Sequence, residues 1–283
     1  MRIIVTGSSG RLGGFVVGEL LRAGHEVVPV DLVPRGDDSP PTRLVNLRSP
    51  TEVDGLVGGV RPEVIVHLGN FPGFRASGAG EGFANNVSST YNVFDAAVRN
   101  RVGRVVYASS IQVYGVFGEH HAAPAYLPID EEHPHLTRDA YSLSKSVGEA
   151  IAESMVRREP ALSVFSLRYT AIRLPQAVWS RSASASSIVW SLATYVRVED
   201  AARATFLCCG VDRPGHTPLN IVAPRSARPW TSDEVAQCHG GMPSLRRALS
   251  AEDAMITSDR AREVLGFVAD LPAPAAAGPA GAV

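Results

Sequence analysis

The sequence predicts an α/β fold with a doubly wound parallel sheet, and three observations support this prediction. Short Val- and Ile-rich runs alternate with stretches of helical periodicity through the first half of the chain. The runs lack polar alternation, which is typical of strands buried on both faces of a parallel sheet. The first run leads directly into a glycine-rich turn and a helical stretch, which is the order of elements in a βαβ unit.

Six predicted strands lie in the part of the chain that precedes Arg173, and one weaker candidate follows it. Most are Val- and Ile-rich runs without polar alternation. The six are expected at residues 2–6, 26–30, 43–47, 64–68, 102–108 and 163–169, and the weaker candidate at 218–222.

The predicted helices lie between and after these strands. Leu12, Val16 and Leu20 recur at helical spacing, and Gly24 supplies a C-terminal stop. Asp139 is the expected N-cap of a longer helix. Further helices are expected at 83–99, 139–157, 200–209 and 258–265.

The composition argues against several classes of partner. With 27 Lys and Arg against 28 Asp and Glu, the net charge is −1, which gives no electrostatic reason to expect nucleic acid or a membrane surface. No apolar run reaches the ~18 residues that a membrane span needs, and we expect a strand at the N-terminus in place of a signal peptide. Cys208, Cys209 and Cys238 show no disulfide or metal spacing. A cytoplasmic protein with reduced thiols is expected.

A glycine triplet predicts a dinucleotide site. The segment Gly7-Ser8-Ser9-Gly10-Arg11-Leu12-Gly13 follows the first strand and opens the first helix. Such glycines let the backbone approach a pyrophosphate, which rests on the helix N-terminus. The second strand ends at Asp31, whose carboxylate would accept hydrogen bonds from ribose hydroxyls and repel a 2′-phosphate. The sequence therefore predicts NAD, while Arg11 and Arg35 keep NADP open as an alternative.

Only one lysine occurs among the 27 cationic side chains, and the other 26 are arginine. It is Lys145, four residues after Tyr141, and on a helix these two positions share a face. A compact ammonium has a tunable pKa, which a guanidinium lacks. Beside Tyr141 it would favour the ionised phenol, because an ordinary tyrosine pKa of ~10 is too high for a base at neutral pH. The pair predicts a tyrosine that transfers protons.

A second cluster raises the question of a metal site. Glu119-His120-His121 and the segment 130–135 hold several imidazoles and carboxylates. Their spacing matches no compact zinc pattern, and they lie among prolines and short polar residues. We expect a solvated loop and no metal site.

These motifs together resemble the extended short-chain dehydrogenase/reductases, the group that contains the NAD-dependent sugar epimerases and dehydratases. The resemblance covers about residues 1–222 and implies a Rossmann-type domain. Besides the glycine loop and the Tyr141/Lys145 pair, it is carried by Val64–Gly69, Asn86-Val87 with Thr90-x-Asn92-Val93, Ser109–Gly115, Arg168 and Val198-x-Asp200.

The resemblance implies roles for individual residues. Tyr141 would take a proton from the substrate hydroxyl, Lys145 would hydrogen-bond the nicotinamide ribose, and Ser110 would orient the substrate oxygen. The implied cofactor-binding residues are Gly7, Ser9, Gly10, Arg11, Leu12, Gly13, Asp31, Asn46, Leu47, Leu68, Gly69, Asn86, Ala108, Tyr141 and Lys145. The candidate substrate-binding residues are Phe71, Arg75, Ser110, Gln112, Tyr114, Arg173 and Arg181.

Two departures from the family narrow the expected reaction. Its dehydratases have an Asp-Glu pair after the catalytic Thr, whereas this chain has Ile111 and Gln112, which cannot provide acid and base. Only residues 176–197 separate Pro175 from the Val-x-Asp element, which leaves little room for a nucleoside diphosphate. This compactness is similar to that of the uronate dehydrogenases, although those enzymes have Asn-His at the Ile111-Gln112 positions. A small, sugar-derived substrate is expected.

We therefore predict an NAD-dependent oxidoreductase. Residues 1–173 would form the cofactor-binding domain, 174–270 a small substrate-binding region that partly returns to the core, and 271–283 a disordered tail. A sugar epimerase, which would oxidise and re-reduce one carbon, and a non-catalytic dinucleotide-binding regulator remain alternatives. The expected partners are a small-molecule substrate and a second copy of the chain in a homodimer.

Overall fold

The structure of the protein is a computed structural model. It describes residues 1–36, 40–71, 78–117, 121–174, 194–227 and 229–269. The predicted tail and two predicted substrate-binding residues, Arg75 and Arg181, lie outside the described residues.

Seven of the described strands form one parallel sheet in the order β3-β2-β1-β4-β5-β7-β10. The strands are β1 Arg2–Thr6, β2 Glu26–Asp31, β3 Arg43–Leu44, β4 Val64–His67, β5 Arg104–Ser110, β6 Tyr126–Leu127, β7 Ser163–Tyr169, β8 Ile172–Arg173, β9 Val196–Arg197, β10 Gly215–Ile221 and β11 Ser244–Leu245. From β1 the chain adds strands toward one edge of the sheet as far as β3, and from β4 it adds strands toward the other edge. This confirms the doubly wound prediction. The short strands form two separate pairs, β6 with β11 and β8 with β9.

Helices cover both faces of this sheet. In the described residues they are α1 Gly13–Arg22, α2 Pro50–Val60, α3 Ala79–Arg99, α4 Ala140–Arg158, α5 Val198–Gly210, α6 Ser232–His239 and α7 Asp259–Leu265. Val16 of α1 and Cys208 of α5 belong to the core on one face. Val57, Phe94 and Ala152, from α2, α3 and α4, belong to the core on the other. Burial on both faces explains the unbroken apolar strands.

The start of α4 is fixed by its own sequence. Asp139 accepts a hydrogen bond from the backbone N–H of Ser142 at 2.8 Å, and the Ser142 side chain reaches back to the Asp139 N–H, which completes a capping box. This confirms Asp139 as the predicted N-cap. The cap also sets the first helical turn, which carries Tyr141.

Several boundaries differ from the sequence prediction for local reasons. β3 ends at Leu44 because it is an edge strand with only β2 beside it. β5 extends to Ser110, two residues beyond the prediction, because its pairing with β7 continues as far as Ser110 and Tyr169. β10 begins at Gly215 and tolerates Pro218 because it lies at the other edge of the sheet.

Two further observations concern the helices. α2 had no predicted bounds. It begins after Ser49, whose side chain accepts a hydrogen bond from the Glu52 N–H, and Pro50 occupies its first position.

Among the described helices, none combines the length and the apolar character that crossing a membrane requires.

Candidate active site

A cleft runs along the carboxyl edge of the sheet, at the point between β1 and β4 where the strand order reverses. Ligands of open α/β sheets bind at such a point. The cleft consists of two hollows that share Gly7, Gly10, Leu68, Asn70 and Phe71 in their walls. One hollow extends toward Asp31, and the other extends toward α4.

The glycine loop lies where the two hollows meet, and close contacts require its glycines. Gly7 has a φ of +69°, and a Cβ at this position would lie 2.7 Å from the backbone nitrogen of Gly69. A Cβ at Gly13 would lie 2.1 Å from the carbonyl oxygen of Gly7. Leu12, at the N-cap of α1, provides no side-chain cap, and the Gly14 N–H donates to the Gly10 carbonyl oxygen at 3.3 Å within the loop. This arrangement fits the pyrophosphate of a dinucleotide.

The Asp31 carboxylate lies in the wall of the first hollow and is held in place by backbone amides. One oxygen accepts a hydrogen bond from the Ser9 N–H at 2.9 Å, and the other accepts one from the Leu32 N–H at 2.7 Å. The Arg35 guanidinium lies against Gly14 and donates to its carbonyl oxygen at 3.5 Å. The geometry therefore fixes a carboxylate at the end of β2, where a ribose would bind.

Ser110, Tyr141 and Lys145 lie together in the wall of the second hollow. Ser110 ends β5, and a hydrogen bond joins its hydroxyl to the Tyr141 hydroxyl. The Lys145 Nζ donates to the Ala108 carbonyl oxygen at 2.7 Å and lies 5.6 Å from the centre of the Tyr141 ring. A strand end and a helix turn thus bring two hydroxyls and an ammonium to one place.

The ionisation of this trio departs from the prediction that Lys145 lowers the pKa of Tyr141. Burial raises the pKa of Tyr141, against the opposing effect of the Ser110 hydrogen bond. Burial likewise lowers the pKa of Lys145 to about 7, against the attraction of Glu149. Desolvation is the largest cause for both groups, although Lys145 is only 2% exposed and the Tyr141 side chain is half-buried.

A buried ion pair lies behind the trio. Arg168 on β7 donates two hydrogen bonds to Glu149 on α4, at 2.9 and 2.6 Å, and both side chains are 3% exposed. Ser109 donates a third, at 2.5 Å. Burial by itself would raise the pKa of Glu149, but Arg168 and Ser109 hold it below its ordinary value. Arg168 is therefore a structural cation paired behind the cleft.

The structure brings all but one of the predicted cofactor-binding residues to the wall of the cleft. The exception is Asn86, whose side chain binds the N–H and the carbonyl oxygen of Phe71 at 2.8 and 3.1 Å and so holds Phe71 in the cleft wall.

Of the predicted substrate-binding residues in the described part of the chain, Phe71 and Ser110 line the cleft and two others do not. Tyr114 is fully buried; its hydroxyl donates to Asn220 at 2.6 Å and accepts from Arg168 at 2.9 Å. Gln112 lies in the 3₁₀-helix Ile111–Tyr114, outside the lining residues. The tight turn after Ser110 directs the chain away from the cleft.

Arg173 lies beside the cleft. It is half-buried on β8, next to Ile172, which lines the second hollow. Burial, together with the nearby Arg11 guanidinium, lowers the pKa of Arg173. Two guanidiniums therefore lie close to each other at this end of the cleft.

Ten lining residues were not predicted. Several directly follow a predicted strand, and their position at the carboxyl edge of a parallel sheet was a usable signal. They are Leu32, Val33, Val45, Asn70, Asn85, Ser89, Ser109, Tyr169, Thr170 and Ile172.

The segment 130–135 is not the solvated loop that was expected. Glu131 and His133 are 7% and 2% exposed. Glu131 accepts a hydrogen bond from the Asn220 N–H at 2.7 Å, and His133 accepts one from the Ala125 N–H at 2.9 Å. Within the described residues, which exclude Glu119 and His120, no group of three metal-ligating side chains occurs.

Comparisons with known proteins agree with this geometry. A family model described as the NAD dependent epimerase/dehydratase family matches residues 3–207. UDP-glucose 4-epimerase of Neisseria meningitidis serogroup C is 29% identical over 184 residues, which cover 59% of this chain and 52% of that protein. A putative UDP-glucose 4-epimerase of Methanocaldococcus jannaschii is 30% identical over 154 residues, 52% of this chain and 48% of that protein. The chain spans about half the length of the curated relatives it matches.

Solved structures extend the likeness over nearly the whole chain. MoeE5 in complex with UDP-glucuronic acid and NAD is 25% identical, with a TM-score of 0.69 over 96% of this chain and 95% of that chain. A short-chain dehydrogenase/reductase superfamily protein from Agrobacterium tumefaciens with bound NAD is 22% identical and shares the fold, with a TM-score of 0.73 over 96% and 93% of the two chains.

The family match spans the glycine loop, the Ser110 strand end and the Tyr141/Lys145 helix. It confirms the resemblance drawn from the motifs, and the NAD dependence of the family agrees with the predicted cofactor. The chain belongs to the NAD-dependent epimerase/dehydratase family.

Proposed function

We propose that the protein is an NAD-dependent oxidoreductase that acts on a hydroxyl or carbonyl carbon of a small, sugar-derived substrate. One observation carries the proposal: Ser110, Tyr141 and Lys145 lie in the wall of the same cleft as the glycine loop. NAD would supply the hydride acceptor when it is bound there.

The side chains of this trio have distinct tasks in the proposed reaction. Tyr141, in its phenolate form, takes the proton of the substrate hydroxyl while hydride leaves the same carbon, so that an alcohol becomes a carbonyl. Ser110, already bonded to the Tyr141 hydroxyl, holds the substrate oxygen and stabilises its developing charge. Lys145, fixed by the Ala108 carbonyl, provides the positive charge beside the phenol.

The surroundings of the trio support redox chemistry over dehydration. Ile111 is 4% exposed and cannot transfer a proton, and Gln112 lies outside the cleft wall. Neither can act as the acid and base of water elimination. Arg11 and Arg173, close to each other beside the second hollow, offer two guanidiniums for an anionic group such as a sugar carboxylate.

A nucleotide-sugar epimerase is the second candidate. The curated relatives are named UDP-glucose 4-epimerases, and MoeE5 was solved with UDP-glucuronic acid. The same three side chains would serve, since an epimerase removes and returns hydride at one carbon. Net formation of NADH separates the two candidates, because only the oxidoreductase produces it.

The test is a screen of nicotinamide absorbance with free sugars, sugar acids and simple alcohols, alongside product analysis with UDP-glucose. The proposal expects NADH to accumulate with one of the small substrates and to stop accumulating in Tyr141→Phe. Conversion of UDP-glucose without NADH would establish the epimerase in its place. Binding of NAD without turnover of any substrate would indicate a dinucleotide-binding regulator.

A further inference from the structure

Glu149 is a buried carboxylate that the proposed reaction does not use. Tyr141, Lys145 and Glu149 follow one another at intervals of four residues on α4, so all three lie on one face of the helix. Glu149 is 3% exposed, and a buried carboxylate without partners would be costly. Its partners therefore indicate what it does.

Those partners come from the two strands that flank the catalytic residues. Ser109 on β5 donates to Glu149 at 2.5 Å, and Ser109 lies between Ala108, which accepts the Lys145 hydrogen bond, and Ser110. Arg168 on β7 donates to both carboxylate oxygens. The carboxylate thus fixes the ends of both strands to α4 at the level of the catalytic side chains.

Glu149 also acts on the charge of Lys145. Lys145 is 2% exposed, and burial opposes its ammonium form, while the Glu149 carboxylate favours it. Around Lys145 the other titratable groups are neutral or poorly ionised: the pKa of His67 falls to about 3 through burial and the Lys145 charge, and burial raises the pKa values of Tyr107 and Tyr141. The groups that face Glu149 are Arg168, His135, His216, Tyr107 and Tyr114.

We propose that Glu149 is a positioning residue of the active site, which retains Lys145 as an ammonium and holds the Ala108–Ser110 strand end against it. The inference rests on the proposed roles of Tyr141 and Lys145. Its test is independent of them, because the charge of Lys145 can be measured without any turnover.

The single lysine makes that measurement direct. With carbon-13-labelled lysine, one side-chain Cε signal reports the titration of Lys145 in the full chain. Glu149→Gln should lower the pKa of Lys145 by roughly one unit, the effect of losing one opposite charge nearby. The matched control is Glu153→Gln, one turn further along α4, where the carboxylate is exposed and pairs with Arg157; it should leave the Lys145 titration unchanged.

The turnover of the Glu149 variants provides a second measurement. Above the Lys145 pKa, a fall of one unit removes about nine-tenths of the remaining ammonium, so Glu149→Gln should lower kcat about tenfold with little change in KM. Glu149→Asp keeps the charge and should restore both the titration and most of kcat. A purely structural role would change the melting temperature and leave the Lys145 titration of the folded variant unchanged.

Two outcomes would separate the inference from the proposed function. An unchanged Lys145 titration in folded Glu149→Gln would overturn the inference even if Tyr141→Phe abolished turnover. A shifted titration without turnover in the wild type would retain the coupling and reject the oxidoreductase. If Glu149→Gln fails to fold because Arg168 is left unpaired, Arg168→Gln is added, and the Lys145 titration of the double variant is compared with that of Arg168→Gln alone, so that only the Glu149 charge differs; equal Lys145 pKa values would overturn the inference.

Discussion

The two ends of the cleft are constructed by different physical means. At the glycine-loop end, backbone geometry forms the site: Gly13 permits a contact that no side chain allows, and amides of Ser9 and Leu32 hold Asp31. At the α4 end, buried ionisable side chains form it, and Lys145 is 2% exposed. The first end needs space for a close approach of the backbone, whereas the second needs particular protonation states.

Because of this difference, we expect substitutions at the two ends of the cleft to change different quantities. Changes at the loop end should weaken cofactor binding, because the backbone can no longer approach a pyrophosphate. Changes at the α4 end should lower turnover and leave cofactor affinity nearly intact, because they alter proton transfer.

The largest effect is expected from Tyr141→Phe. The half-buried ring is kept and only the hydroxyl is lost, so turnover should fall roughly 100- to 10,000-fold, the usual contribution of general acid–base catalysis. Calorimetry should show NAD affinity close to that of the wild type. The control is Tyr91→Phe on α3, which also removes a tyrosine hydroxyl, but from a side chain that is 47% exposed. A Tyr141 variant with more than about a tenth of wild-type turnover would assign proton transfer to another group.

Gly13→Ala should have the next largest effect, at the opposite end. Its Cβ would lie 2.1 Å from the Gly7 carbonyl oxygen, so the loop must move and NAD should bind at least roughly tenfold more weakly, about 1.4 kcal/mol. The control is Gly18→Ala in the same helix, where a Cβ meets nothing within 4 Å. That change should raise the free energy of unfolding by up to about 1 kcal/mol and leave NAD affinity alone. Equal NAD affinity in both variants would contradict the close-approach account.

Asp31→Asn tests cofactor choice and should have the smallest effect. Loss of the carboxylate removes the repulsion of a 2′-phosphate, so the preference for NAD over NADP should fall by roughly tenfold. Glu26→Gln removes an exposed carboxylate from the other end of β2 and serves as the control. Tighter binding of NADP than NAD by the wild type would defeat the argument and direct attention to Arg11 and Arg35.

The same comparison explains what the sequence could predict. The loop end lies within a short stretch of chain, so the order of strand, glycines, helix and Asp31 indicated it without tertiary information. The parallel sheet was predictable because strands covered on both faces are apolar throughout. The third predicted strand, 43–47, was longer than β3, because the short pairing of β3 depends on its position at the edge of the sheet, which no local pattern shows.

The α4 end was only partly predictable. Helical spacing placed Tyr141 beside Lys145, but the direction of the Tyr141 pKa depends on burial, which comes from the packing of distant segments. The position of Glu149, four residues after Lys145, predicts that both side chains lie on the same face of α4. Its partner Arg168 could not be predicted in this way, because Arg168 lies on β7. Tyr114 follows the catalytic strand end in sequence, and the turn after Ser110 directs it into the core instead of the cleft.

Whether Lys145 acts inside the site is measured most directly by kcat/KM against pH for the wild type and Lys145→Arg. The ammonium is present below the pKa of Lys145, about 7, and is lost as the pH rises, whereas a guanidinium stays charged throughout. We expect the variant to lose at least roughly 100-fold in kcat/KM, because a broader group cannot occupy the buried place beside the Ala108 carbonyl. We also expect the pH profile of the variant's residual activity to lack the change that the titration of Lys145 produces in the wild type. Superimposable profiles of equal height would contradict the account and place Lys145 outside the chemistry.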